Sequence, residues 1–196
     1  MKKRNIKTKY IAYLVILIVA CIAGSQIPGF FTVTNILNVT RQASTIAICA
    51  LAMTLVLIIQ GIDLGTGGVM AFCAMVSGFM MLNGINVFFS MFAGAAVGLI
   101  IGIVNGLLVS RINIPPFIAT YVTGQITLGL ALVVGKGSSI SGMPDLYVAI
   151  GNRLFLNIPI NTWIMIVLLV ITTVILKYTR MGKHIYALGG LSLIHI

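Results

Sequence analysis

Two carboxylates, Asp63 and Asp145, two histidines, His184 and His195, and three cysteines, Cys21, Cys49 and Cys73, are the side chains from which catalysis or metal binding would have to be built. Acid–base chemistry needs a tunable group beside the reacting bond, and nucleophilic chemistry needs a hydroxyl or thiol beside a base. Neither constellation occurs. The two carboxylates are far apart in sequence, both histidines follow the last apolar run, and Ser, Thr and Cys stand without a neighbouring base. The cysteines lie inside apolar runs with no C-x-x-C spacing, which reads as small buried hydrophobes rather than metal ligands or disulfide partners. A phosphate-cradling loop requires G-x-x-x-x-G-K-[ST]. The stretch Gly135-Lys136-Gly137-Ser138 lacks the upstream glycine and has no hydroxyl residue directly after the lysine. The chain is therefore expected to hold no catalytic residue, no metal and no cofactor, which leaves transport, passive or energised from outside this chain.

The charged group set among apolar runs is Asp63, within Gly61-Ile62-Asp63-Leu64-Gly65-Thr66-Gly67-Gly68. A carboxylate next to hydrocarbon is costly unless it is hydrated or accepts backbone hydrogen bonds. Two readings stand. Asp63 either caps the helix that follows, favoured by the positive end of its dipole, or touches a solute or ion directly. Asn105, Thr120, Thr123 and Gln125, with Gln60 and Thr127, are further polar positions that could line a path. Hydroxyls and amides also join membrane helices, at roughly 1 kcal/mol each.

The elements that must position these residues are set by solvent. Hydrophobic residues make up 60% of the chain and charged residues 7%, whereas a soluble domain carries roughly a quarter charged residues. The mean hydropathy is +1.17. Neither a water-soluble exterior nor a disordered chain fits these values. Apolar runs cover Tyr10 to about Gly24, Ala43 to about Gln60, Gly67 to Leu82, Val87 to Val109, Phe117 to Val134 and Thr162 to Leu176. Each approaches the roughly 20 residues a helix needs to cross hydrocarbon. Continuous rather than alternating apolarity excludes a strand barrel. The expected fold is an all-α polytopic transmembrane helix bundle with six spans. The first run has the flanks of a signal peptide, yet further apolar runs follow it, so it reads as an uncleaved first helix.

The net charge of +10 reads as lipid-facing anchoring, not nucleic-acid binding. With the amino terminus in the cytoplasm, Lys2, Lys3, Arg4, Lys7, Lys9, Arg111, Lys177, Arg180 and Lys183 lie inside, and Arg41, Lys136 and Arg153 outside. That asymmetry predicts the inside orientation. Gly94, Gly98, Gly102 and Gly106 recur every fourth residue, a smooth stripe predicted to pack against another helix. Ile114-Pro115-Pro116-Phe117 ends the fourth helix and starts the next. Turn residues at Gly135–Ser139 and Gly142–Asp145 predict an exposed outer loop of about 25 residues. The abrupt change at Lys177 to a basic segment containing aromatics, with Gly182, Gly189 and Gly190, suits a chain that turns and lies along the membrane.

Gly61-Ile62-Asp63-Leu64 followed by glycines, Asn105-Gly106, Ile114-Pro115-Pro116-Phe117-Ile118-Ala119-Thr120, Ile140-Ser141-Gly142 and Gly182-Lys183-His184-Ile185-Tyr186-Ala187-Leu188-Gly189-Gly190 occur in this order. The pattern resembles the permease family of ribose-, xylose- and arabinose-type bacterial ABC importers, from about Thr34 to Gly190. The resemblance implies a helical permease of about ten spans in the inner membrane. It also implies a dimer with a second permease copy, a cytoplasmic ATP-binding subunit, and an extracytoplasmic protein that selects a pentose or similar small sugar. Asp63, Asn105, Thr120, Thr123 and Gln125 would then line the substrate path, and Arg180, Gly182 and Tyr186 would position the helix that docks on the ATPase. A secondary carrier or channel without an ATPase is the alternative. By this reading residues 1–9 form the cytoplasmic amino terminus, 10–176 the permease domain and 177–190 the start of the coupling segment. The ending Leu191-Ser192-Leu193-Ile194-His195-Ile196 departs from the family's continuation, so 191–196 reads as a foreign tail on a chain cut short, with a natural short variant as the other possibility.

Overall fold

Continuous apolar runs have only their own backbone to hydrogen-bond with in lipid, so they coil into helices. The computed structural model of the protein describes residues 6–191. The expectations for Lys2, Lys3, Arg4 and residues 192–196 lie outside the described residues. Eight helices are present among the described residues: α1 (Ile6–Ser25), α2 (Val33–Ile58), α3 (Thr66–Leu82), α4 (Val87–Ser110), α5 (Pro116–Val134), α6 (Asp145–Asn152), α7 (Ile160–Tyr178) and α8 (Arg180–Leu191). Four of them, α2, α4, α5 and α7, are long and apolar enough to cross a membrane, and α3 and Tyr13–Ser25 within α1 are shorter apolar helices. The all-α membrane architecture follows, with these six segments matching the six apolar runs.

The chain forms two units, Met1–Ala43 and Ser44–Ile196, the division falling inside α2. In the first, α1 ends in a turn where Phe30 packs over Gly24 and meets Phe31 edge-on at 5.0 Å. Thr32 Oγ1 accepts from Asn35 N at 3.4 Å as α2 begins. This start lies ten residues before the apolar run predicted from Ala43, a correction to the sequence boundary. The first turns of α2 carry Asn35, Asn38, Arg41 and Gln42, whose polarity hides a helix from a hydropathy reading but does not prevent one.

In the second unit α3 packs against both α4 and α5. Its polarity is inverted relative to a soluble core: Ser90 and Thr127 are buried, whereas Phe92 and Val133 are each more than 70% exposed. Lipid tails solvate apolar side chains as well as protein does, so the apolar residues have no reason to turn inward and small residues occupy the helix contacts. The Pro115-Pro116 break falls where predicted. Helix α4 ends at Ser110, and Pro116 sits in the first turn of α5, where a missing amide hydrogen costs nothing.

The segment between α5 and α7 is more ordered than the loop of turns expected. It contains α6 and a hairpin of β1 (Leu154–Phe155) and β2 (Ile158–Pro159). Leu156 and Asn157 both take left-handed φ, 52° and 60°, as a tight two-residue hairpin requires. Trp163 Nε1 donates to Phe155 O at 3.1 Å, and the two rings meet edge-on at 5.8 Å. Met143 lies over Gly78 of α3, which folds this segment back onto the helices. Turn residues announce a loop in sequence, but these returns onto α3 and Trp163 are tertiary.

Three helix ends share one device. After α3, Gly84 N donates to Met81 O and Ile85 N to Met80 O, with Gly84 in the left-handed region. After α2 the same pair of bonds runs from Gln60 N to Leu57 O and from Gly61 N to Val56 O. Lys136 holds this position after α5, with Lys136 N donating to Val133 O and Gly137 N to Leu132 O. Glycine is the usual occupant. Gln60 and Lys136 adopt φ of 60° and 50° instead, a conformation that costs an L-residue roughly 1–2 kcal/mol.

Candidate functional site

The segment between α2 and α3 is held by hydrogen bonds rather than by helix. Asp63 Oδ1 accepts from Gly65 N at 2.8 Å. Leu64 N donates to Thr120 Oγ1 at 3.0 Å, and that hydroxyl donates in turn to Pro116 O at 2.9 Å within α5. The helix cap expected of Asp63 is not what it forms. The residue flanking the helix is Gly65, without a side-chain cap, and Asp63 closes a local turn just ahead of it. A carboxylate two residues before the flanking position reaches only that residue's amide, which corrects the first reading of Asp63.

Beside this turn lies a cavity of about 420 Å³ whose wall includes Asp63, Asn105 and Thr120, with Gly102, Gly106 and Val56. A second hollow of about 200 Å³ shares Asp63, Gly102 and Asn105 and extends toward Cys49 and Met70. Cys49 Sγ lies 3.5 Å from Met70 Sδ there. Asn105 Oδ1 is shielded and has no hydrogen-bond partner among the described residues. An orphaned acceptor of this kind is costly unless something donates to it. Asp63 and Asn105 thus bring a carboxylate and an amide to a largely apolar wall, acceptor types that hydroxyl donors can meet.

Of the five residues expected to line a path, the structure gathers Asp63, Asn105 and Thr120 on one wall. Thr123 lies instead at an apolar recess with Phe72 and Ile101, its hydroxyl donating to Ala119 O and Thr120 O at 3.0 Å. Gln125 is exposed. Thr127 Oγ1 donates to Thr123 O at 2.8 Å, and Gln60 Nε2 donates to Gly189 O at 2.8 Å.

The glycine stripe of α4 divides in two. A Cβ at Gly94 would collide with Ser77 Oγ and Cys73 O of α3, and one at Gly98 would lie 3.3 Å from Cys73 Sγ. Gly102 and Gly106 have nothing within 4 Å and open onto the cavity. Half the stripe packs a helix, and half leaves room. A further close helix approach was not read from sequence. A Cβ on Gly65 would strike Thr120 O, one on Gly68 would strike Gly124 O, and one on Gly124 would come within 2.6 Å of Gly65 Cα. Gly65 just before α3 and Gly68 within it, with the small-x-x-x-small pair Thr120 and Gly124 on α5, were the available signal.

Helix α8 begins immediately after the extended Thr179 that ends α7. Gly182 is helical, not a turn residue as expected of it. It is required because a Cβ would strike the Ile175 and Leu176 carbonyls at the end of α7, and Thr179 Oγ1 accepts from Gly182 N at 3.3 Å. Gly189 is likewise helical, and a Cβ there would strike Ile58 O. Arg180 and Tyr186 are exposed on α8.

The family model described as branched-chain amino acid transport system / permease component matches residues 35–190. Among curated relatives, the ribose import permease protein RbsC of Haemophilus influenzae is 36% identical over 183 residues, covering 91% of this chain and 57% of that protein. The D-allose transport system permease protein AlsC of Escherichia coli is 31% identical, covering 93% of this chain and 56% of that protein. A probable ABC transporter permease protein, y4mJ of Sinorhizobium fredii, is 33% identical, with coverages of 92% and 54%. The chain thus spans about half the length of the curated relatives it matches. No solved structure matches it. A match over residues 35–190 takes in both the Asp63 turn and α8, and the chain belongs to the membrane permease family described as branched-chain amino acid transport system / permease component.

Proposed function

We propose that the chain is part of the permease subunit of a bacterial ABC importer in the inner membrane, forming the translocation path for a pentose or similar small sugar. The observation that carries this reading is the cavity wall of Asp63 and the unpartnered Asn105 Oδ1. Sugar hydroxyls can donate to a carboxylate and to an amide oxygen alike. The ammonium group of an amino acid could donate to them as well, so the preference for a sugar leans on the relatives. The ribose and allose permeases among the relatives support the same class of solute.

In this reading the permease pairs with a second copy, takes sugar from an extracytoplasmic binding protein and is driven by a cytoplasmic ATP-binding subunit. It holds no cofactor of its own. Residues 10–176 are the membrane domain and α8, with Arg180 and Tyr186 exposed, faces the ATPase. The full-length permease, reconstituted into liposomes with its ATPase and binding protein, is expected to accumulate labelled ribose with ATP and not labelled leucine. Leucine accumulation in place of ribose would overturn the solute class. Sugar uptake driven by an ion gradient without the ATPase would restore the carrier alternative.

Nine of the twelve basic residues lie on one side in the orientation with a cytoplasmic amino terminus. With Cys21, Cys49 and Cys73 removed, a single cysteine at Ser139 is expected to react with an impermeant thiol reagent on intact cells. One at Lys183 is expected to stay unlabelled until the membrane is opened. The opposite pattern reverses the topology.

A further inference from the structure

Helices α2 and α8 meet next to the segment that lines the cavity. The Ile58 carbonyl belongs to the last turn of α2, and Gly189 lies on α8. A Cβ on Gly189 would strike Ile58 O, so the absent side chain is what lets the helices approach. One side-chain donor crosses this approach to the Gly189 carbonyl.

Gln60 supplies the donor. Its Nε2 reaches Gly189 O at 2.8 Å from a backbone position with φ of 60°. The equivalent residue after α3 is Gly84, which pays no steric penalty there. A strained residue whose side chain hydrogen-bonds across this approach points to a use for that side chain. The next three residues, Gly61, Ile62 and Asp63, are part of the cavity wall.

Resting on the reading of α8 as the ATPase-facing helix, we infer that Gln60 is a positioning residue for coupling, tying α8 at Gly189 to the turn that carries Asp63. Displacement of α8 moves that turn with it and reshapes the cavity wall. The link is short, running from α8 through one side chain to the adjoining wall residues Gly61, Ile62 and Asp63.

The test uses the reconstituted full-length transporter and reads sugar taken up per ATP hydrolysed, alongside thermal stability in detergent. Gln60→Met keeps the length of the side chain and loses the donor. Gln60→Gly loses the donor and relieves the left-handed strain. Both are expected to lower uptake per ATP by about fivefold, the scale of one lost hydrogen bond, with Gln60→Gly at least as stable as the parent. Unchanged coupling in Gln60→Gly overturns the inference even if Gln60→Met is impaired, because backbone conformation alone would then account for the residue. Absence of ATP-driven sugar uptake in the parent protein overturns the functional reading itself and with it the coupling role.

Discussion

Replacing Gly68 with leucine is expected to remove nearly all folded protein, while the same change at its neighbour Gly67 leaves the yield close to that of the parent. Gly68 faces α5 so closely that even a methyl group would collide with Gly124 O, whereas Gly67 has nothing within 4 Å. Side-chain obstacles can rotate away, but this obstacle is backbone, so α3 and α5 would have to separate. Overpacking typically costs about 1–3 kcal/mol and more when backbone must move. Separation would also break the bond from Leu64 N to Thr120 Oγ1 and release the turn that holds Asp63. Size-exclusion profiles of detergent-extracted variants provide the measurement. Similar monodisperse yields for Gly68→Leu and Gly67→Leu would show that the two helices do not approach as described.

The second large effect separates folding from transport along a single helix face. Gly94→Leu is expected to collapse the yield, because Ser77 Oγ and Cys73 O leave no room. Gly102→Leu is expected to fold, because its new side chain enters the cavity instead of a neighbouring helix. In the full-length transporter, Gly102→Leu should lower sugar uptake at least about tenfold, equivalent to about 1.4 kcal/mol on the rate-limiting barrier. Leu107→Ile, on an exposed position of the same helix, serves as the control with little effect on either quantity. A well-folded Gly102→Leu variant with undiminished uptake would remove the cavity from the transport path.

Sequence and structure agree most closely where solvent alone decides. Apolar runs of about 20 residues with almost no charge have one stable form in lipid, so the spans were legible from Gly67 onward to within about two residues. The Pro115-Pro116 break was equally legible, since proline lacks the donor a helix interior needs. The start of α2 was not. Helical hydrogen bonding continues through Asn35, Asn38 and Arg41, while hydropathy marks only where the helix becomes apolar.

The site shows the same division. The sequence by itself determined that the chain is a membrane helix bundle, that catalytic pairs are missing from its spans, and that Asp63 and Asn105 deserve suspicion as polar groups in an apolar setting. Those conclusions depend on composition and local chemistry, which every residue carries with it. Only the tertiary structure decided that Asp63, Asn105 and Thr120 share a wall while Thr123 and Gln125 do not. It alone divided the glycine stripe between packing and open space, and it alone joined Gln60 to Gly189, 129 residues away. The physical reason is that a glycine or an amide has the same local meaning wherever it stands. Its role is set by what the helix opposite brings within about 4 Å of it, and in a bundle without a strong hydrophobic sorting force that partner is not written in the periodicity of either helix.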